Sequence, residues 1–259
     1  MKVRPAIASD IPHLAAITVR SLNEDAMDEY LYPGRHKHPV AYQAAYEKRN
    51  KNLIEWPSVR IMVAMTEPSD DKWSGAPEIS GFCIWNRNGE SKEVKEKWWP
   101  KQTLKQRMSL WMRDTYIAQA VEAIQNPSMS VVRYFTYGSK DEEYFDPKDK
   151  DPDDFWGVIE ILVDQSFQRR GVGQLLLKWG FEQARVEQIP VSLAATKAGE
   201  ALYFKVGMRH VGKWKWGPKP EMESKLFRWD PPKGDEATIN APATEAPATD
   251  VSTLDAPAT

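Results

Sequence analysis

The chain has 259 residues, 41% of them hydrophobic, with eleven Trp, a single cysteine (Cys83) and a net charge of −2. That composition can fill one large core or two small ones; it excludes an internal disulfide and a Cys-rich zinc site, and no run approaches the roughly 18 apolar residues of a membrane span. From Gly234 onward there are five acidic residues and no Lys or Arg, so the rest carries +3 against −2 for the whole, far short of the basic footprint of a nucleic-acid binder.

In chain order, Met1-Lys2-Val3-Arg4-Pro5 is not followed by an apolar signal segment, so a cytoplasmic protein is expected, bound to neither membrane nor nucleic acid. Val3 to Ala6 reads as a short edge strand. Ser9 is then expected to cap a helix, with Pro12 in its first turn and Ile11, Leu14, Ala15 and Thr18 on one face. A loop over 32–38 carries His36 and His38, but no Asp, Glu or Cys is spaced to complete a metal site, so both read as loop residues and no metal is expected. A second helix is expected from Pro39 to Leu53. Strands follow at Arg60–Ala64 and Ile79–Trp85, joined by a polar, turn-rich segment from Thr66 to Pro77.

About 70 residues, Asn86 to Phe155, then precede the next apolar strand. They hold the pair Trp98-Trp99 and a long amphipathic helix marked by Leu104, Met108, Trp111, Thr115 and Ala118. Asp141 to Asp154 sets eight acidic residues against Lys148 and Lys150. A solvated loop is the plain reading, and attraction of a cationic ligand the functional one.

Gly157 to Val163 is rich in β-branched residues and reads as a buried strand. After it come Gln168-Arg169-Arg170-Gly171-Val172-Gly173 and a helix on which Val172, Leu175, Leu176 and Trp179 recur at helical spacing. Strand, glycine loop, helix points a row of free backbone N–H groups at an anion. Gly171 and Gly173 let a phosphate approach the main chain, and Arg169 and Arg170 add charge. A Rossmann fingerprint would need a third glycine where Leu176 stands, and a P-loop would need Gly-Lys-Ser/Thr. Val191 to Ala195 reads as a further strand, and Ala198 to Lys205 as a helix stopped by Gly207 at a left-handed C-cap. Trp214 and Trp216 alternate as on a strand. The closing residues, 233–259, repeat Ala-Pro-Ala-Thr and cannot build a core; they read as a disordered tail.

The block from Phe155 to Trp216 resembles the acetyl-CoA-binding core of the GNAT superfamily of N-acetyltransferases. Ile161-Leu162-Val163, the Q-x-x-G-x-G loop at Gln168–Gly173 and Tyr203-Phe204-Lys205-Val206-Gly207-Met208 carry the likeness; Arg4-Pro5-Ala6 and the strand–helix opening add to it. The resemblance implies an α/β fold over 1–232, a mixed sheet with splayed strands flanked by helices, and a large helical insertion at about 87–154 that packs near the acceptor side. It implies that acetyl-CoA lies between strands 157–163 and 191–195. Main-chain groups of Ile161, Leu162 and Val163 would take the pantetheine and polarise the acetyl carbonyl. N–H groups of Arg169, Arg170, Gly171, Val172, Gly173 and Gln174 would take the pyrophosphate. Thr196 stands where many members have a CoA-contacting Asn, and its hydroxyl can still donate and accept.

Tyr203 is the expected general acid for the departing thiolate, against the plainer reading of a tyrosine packed beside Phe204. A carboxylate in an apolar strand is costly unless paired or functional, so Glu160 is either the general base for the acceptor amine or a salt-bridged or edge-facing glutamate. The implied reaction is direct transfer of acetyl to a primary amine of a small molecule in a ternary complex. No covalent intermediate is expected, since Cys83 lies outside the motif block. A non-catalytic acyl-CoA-binding or sensing module and a protein N-acetyltransferase are the alternatives. Either a monomer or a homodimer is compatible.

Overall fold

The computed structural model describes residues 1–71, 73–98, 103, 120–121, 124–137, 142–145, 149, 152–219 and 221–232. They form β1 (Lys2–Pro5), α1 (Ile11–Ser21), α2 (Ala26–Leu31), α3 (Pro39–Ile54), β2 (Val59–Met65), β3 (Ile79–Asn88) and α4 (Lys92–Trp98). There follow α5 (Val131–Thr136), β4 (Glu142–Phe145), β5 (Phe155–Val163), α6 (Val172–Glu187), β6 (Val191–Ala195), α7 (Glu200–Lys205), β7 (Arg209–Lys215) and β8 (Glu223–Trp229). The strands make one mixed sheet in the order β1-β2-β3-β5-β6-β8-β7-β4. The expected α/β class with helices on both faces is what the chain adopts. No helix among the described residues is long and apolar enough to cross a membrane.

Period-2 alternation decides which side chains serve which face. In β2 and β3, Val59, Ile61, Val63, Phe82 and Ile84 pack with Leu14 and Ile17 of α1. Met62, Ala64, Cys83 and Trp85 point the other way, onto Val172, Leu176 and Leu177 of α6. Both strands are therefore buried on both sides, which is why they read as continuous apolar runs. Close packing on the α6 side is set by Gly180, where an added Cβ would stand 2.2 Å from the Trp85 ring.

Two expectations are corrected. Ser9 does not cap α1: it lies in a short 3-10 turn, Ala8–Asp10, and Asp10 organises the entry instead. Its carboxylate accepts the Ile7 N–H at 2.9 Å and pairs with Arg4 at 2.7 Å, satisfying a donor at the helix start and tying β1 to it. The acidic run is not a plain solvated loop either. Glu142–Phe145 pairs antiparallel with β7, buried Asp149 meets Arg209 at 2.5 Å, and Asp154 meets Arg87 at 3.3 Å. Glu142-Glu143 followed by Tyr144-Phe145 suits a strand at the sheet edge, and local charge density alone does not show that.

Part of the insertion packs on α2. The Ser130 N–H donates to the Leu31 carbonyl at 2.9 Å and the Gly34 N–H to the Ser128 carbonyl at 3.0 Å. Trp98 at the end of α4 is buried edge-on against Trp156. The helix expected around Leu104–Ala118 and the tail from 233 lie outside the described residues.

Candidate active site

β5 and β6 run parallel but pair only at Trp156–Val191 and Gly157–Ser192. Beyond that point β5 keeps its ladder with β3 while its other edge, Val158 to Val163, has no strand beside it among the described residues. A local irregularity accompanies the parting. Ile84 pairs with Glu160 and Trp85 with Val158, leaving Ile159 as an extra residue in β5. Such a β-bulge bends its strand and re-aims the side chains after it. Ile159 is 43% exposed. Past the bulge, Leu162 packs on the α1 face and Ile161 and Val163 on the α6 face; Glu160, two residues before Leu162, joins the α1 face. The residues expected to offer main-chain groups thus lie along the unpaired edge.

The glycine loop stands at the end of that edge. Gln168 Nε2 donates to the Val163 carbonyl at 3.2 Å, fixing the loop to β5. Arg169 and Gly171 have φ of +62° and +83°, a left-handed pair that turns successive N–H groups outward. Among the described residues no backbone bond is made by the N–H groups of Arg169 to Gln174; the first at the helix start runs from Leu175 N–H to the Gly171 carbonyl at 3.0 Å. The two glycines have different reasons. At Gly171 there is room for a side chain but the φ favours glycine, whereas a Cβ at Gly173 would stand 2.9 Å from Leu202. Gly173 therefore serves the approach of α7 to α6. The loop lines an open cleft of about 680 Å³ with Met1, Asp70, Asp71 and Leu175. Thr196 is exposed at the end of β6, its carbonyl accepting the Gly199 N–H at 2.9 Å.

Tyr203 is placed by the end of α7. The Met208 N–H bonds the Tyr203 carbonyl at 3.0 Å and the Gly207 N–H bonds that of Phe204 at 3.1 Å, with Gly207 at φ +82°. This is a Schellman stop, the left-handed cap expected there. The phenol is 5% exposed and rests on Gly199. Burial first, and Cys83 second, raise it above the usual tyrosine range, so it holds its proton. Cys83 itself, remote in sequence, pairs across the ladder with Ile161. The thiol thus lies beside the site in space, but burial, with Glu160 adding, pushes it well above its ordinary range, and a thiol kept protonated is a poor nucleophile.

On the opposite face Glu160 sits in a polar cluster. Arg49 Nη1 donates to its Oε2 at 2.8 Å, and the Glu160 side chain is 10% exposed. Arg49 lies over the Tyr46 ring at 5.7 Å. Tyr46 Oη donates to Asp28 Oδ1 at 2.6 Å and Tyr42 Oη to Asp28 Oδ2. Burial pushes the Asp28 carboxyl up to about 6 against the pull of the two hydroxyls, with Asp25 and Glu160 adding to the rise. Burial works against the Arg49 charge, but Glu160, with Tyr46 and Tyr32 adding, outweighs it and the guanidinium is held above its usual range.

Glu160, Ile161, Leu162 and Val163 therefore share the opened edge, Arg169 to Gln174 close its end, and Cys83 lies across the ladder from Ile161. Sequence reasoning missed Arg49, Asp28, Tyr42 and Tyr46. A signal existed: Tyr42, Tyr46 and Arg49 recur at helical spacing within the expected second helix, one polar-tipped stripe on an otherwise ordinary helix.

No family model matches the sequence. A chain described as "Probable acyltransferase SID5" from Ajellomyces capsulatus is 39% identical over 65 residues, which are 22% of this chain and 48% of that one, so the match spans about half of that relative. An acetyltransferase from Stachybotrys chartarum is 21% identical over 213 residues, 81% of each chain. Among solved structures, a protein described as histone acetyltransferase HPA2 and related acetyltransferase, from Corynebacterium glutamicum, has a TM-score of 0.52 at 18% identity, covering 91% of this chain and 98% of that one. An N-acetyltransferase from Staphylococcus aureus has a TM-score of 0.52 at 16% identity, covering 88% and 100%. The fold of this chain is that of the GNAT acetyltransferases.

Proposed function

We propose that this chain, built on the GNAT fold, is an acetyl-CoA-dependent N-acetyltransferase that acts on a primary amine of a small molecule by direct attack. The carrying observation is the parting of β5 from β6 beside the free N–H row of the glycine loop. An extended pantetheine arm can add to the open edge as a strand would, and a pyrophosphate fits a helix start flanked by Arg169 and Arg170. We take 1–232 as the catalytic unit.

The chemistry follows from the two faces. Glu160 takes one proton from the acceptor ammonium, and the neutral amine attacks the thioester carbonyl. The new C–N bond forms as the carbonyl becomes an oxyanion facing main-chain donors of β5. When the C–S bond breaks, Tyr203 gives its proton to the sulfur and is restored by the second nitrogen proton. The net products are an amide, CoA thiol and one proton, passed from Glu160 to water.

The test is release of free CoA with a panel of amines, together with the CoA-induced rise in melting temperature. A ligand bound only to the folded state stabilises it by RT ln(1 + [L]/Kd). In Gly171→Val the thermal shift should vanish, because Val resists φ +83° and the loop loses its N–H array. An unchanged shift would remove the phosphate-loop assignment. CoA binding without release above water on any amine would leave a binding module.

A further inference from the structure

On the transferase reading, the Arg49–Glu160 pair sets a cation directly on the group that would serve an amine as base. A guanidinium already seated on the carboxylate repels an acceptor that is only a cation. Nor is the guanidinium spent: only Nη1 is used, and Nε and Nη2 have no partner among the described residues, although the side chain is 34% exposed. The rest of its surroundings hold it in place. The Tyr46 ring lies against it, and Tyr46 is itself anchored by buried Asp28, with Tyr42 on the other oxygen and Tyr32 tilted onto both rings. The base and the cation therefore stand side by side on the α1 face of β5, just past the bulge.

We propose that this pair recognises a zwitterionic acceptor, an amino acid-like amine whose ammonium meets Glu160 and whose carboxylate meets the Nε–Nη2 edge of Arg49. A carboxylate accepts two parallel bonds from that edge. It also cancels the repulsion that Arg49 exerts on a plain ammonium, so the two charges together select for a substrate bearing both. The inference rests on the transferase reading and narrows its substrate class. Arg49 is then a specificity-determining residue, distinct from the proton-transfer role of Glu160.

The experiment measures kcat/KM by CoA release for amino acids of increasing chain length, each beside its amide and its decarboxylated amine. The carboxylate-bearing member of the best series should exceed the other two by at least about tenfold, the worth of a charge-assisted pair. Arg49→Gln should erase that preference while keeping the CoA-induced thermal shift, and Arg49→Lys, a point charge without the fork, should keep part of it. Equal use of the plain amine by the wild type, or a preference unchanged in Arg49→Gln, overturns the inference while leaving the transferase reading intact. Release from no amine of any class, with CoA bound, overturns both. If Arg49→Gln fails to fold, the wild-type ratio and Arg49→Lys still decide.

Discussion

The two faces of β5, one residue apart in sequence, are built on opposite principles. On the α6 face Tyr203 and Cys83 are surrounded by apolar side chains, and burial keeps both protonated. On the α1 face Glu160 has a cation at 2.8 Å, and behind it a carboxylate held by two hydroxyls. An acid that must retain its proton until a thiolate departs needs a dry wall; a base that must accept one needs polar company, which Arg49 provides at 2.8 Å. The bulge at Ile159 decides which face Glu160 joins, sending it away from the α6 side, where Val158 points, without breaking the ladder.

The comparison breaks most sharply by kinetics. Tyr203→Phe should lower kcat by about 10²-fold, the low end for general acid catalysis, with CoA affinity nearly unchanged, since the hydroxyl acts on the leaving group. Glu160→Gln should lower kcat/KM at neutral pH by a similar factor but recover toward high pH, where the amine sheds its proton unaided. Wild-type turnover in Tyr203→Phe on a good amine would make the phenol a packing group only.

Next in size is the pH dependence of stability on the charged face. A carboxyl raised to about 6 in the fold binds more protons folded than unfolded between its ordinary value and 6. Its contribution therefore favours the fold at low pH and is lost as pH rises through that window, then stays lost. At about 1.4 kcal/mol per unit, Asp28→Asn should gain about 2–3 kcal/mol relative to wild type between pH 4 and 7, read from paired urea melts. A pH-independent difference would mean that Asp28 is ionised throughout.

On the apolar face Gly180→Ala presses a methyl against the Trp85 ring. Overpacking of this kind costs about 1–3 kcal/mol, and the melting temperature should fall by several degrees. Smallest is Gly173→Ala, which asks only the Leu202 side chain to move. It should reduce the CoA-induced thermal shift far less than Gly171→Val, and an equal loss would show that both glycines serve the anion.

Much of the frame was legible from residues alone. Strand, glycine loop and helix at Gly157–Trp179, the short strand Val191–Ala195 and the stop at Gly207 are local decisions: β-branched runs, a row of N–H groups that needs glycine, and a left-handed cap are fixed by neighbours in sequence. So was the order of motifs that gave the family likeness. What the tertiary structure alone decided was which way side chains point and what meets them. Alternation would put Val158, Glu160 and Leu162 on one face; a bulge, set by how β5 pairs with β3, separates Val158 from the other two. Arg49 reaches Glu160 across 111 residues and Cys83 reaches Ile161 across the ladder, and no local pattern encodes a pairing between distant elements. Sequence determined the elements because their causes are short-range; packing chose the partners because burial and charge act through space.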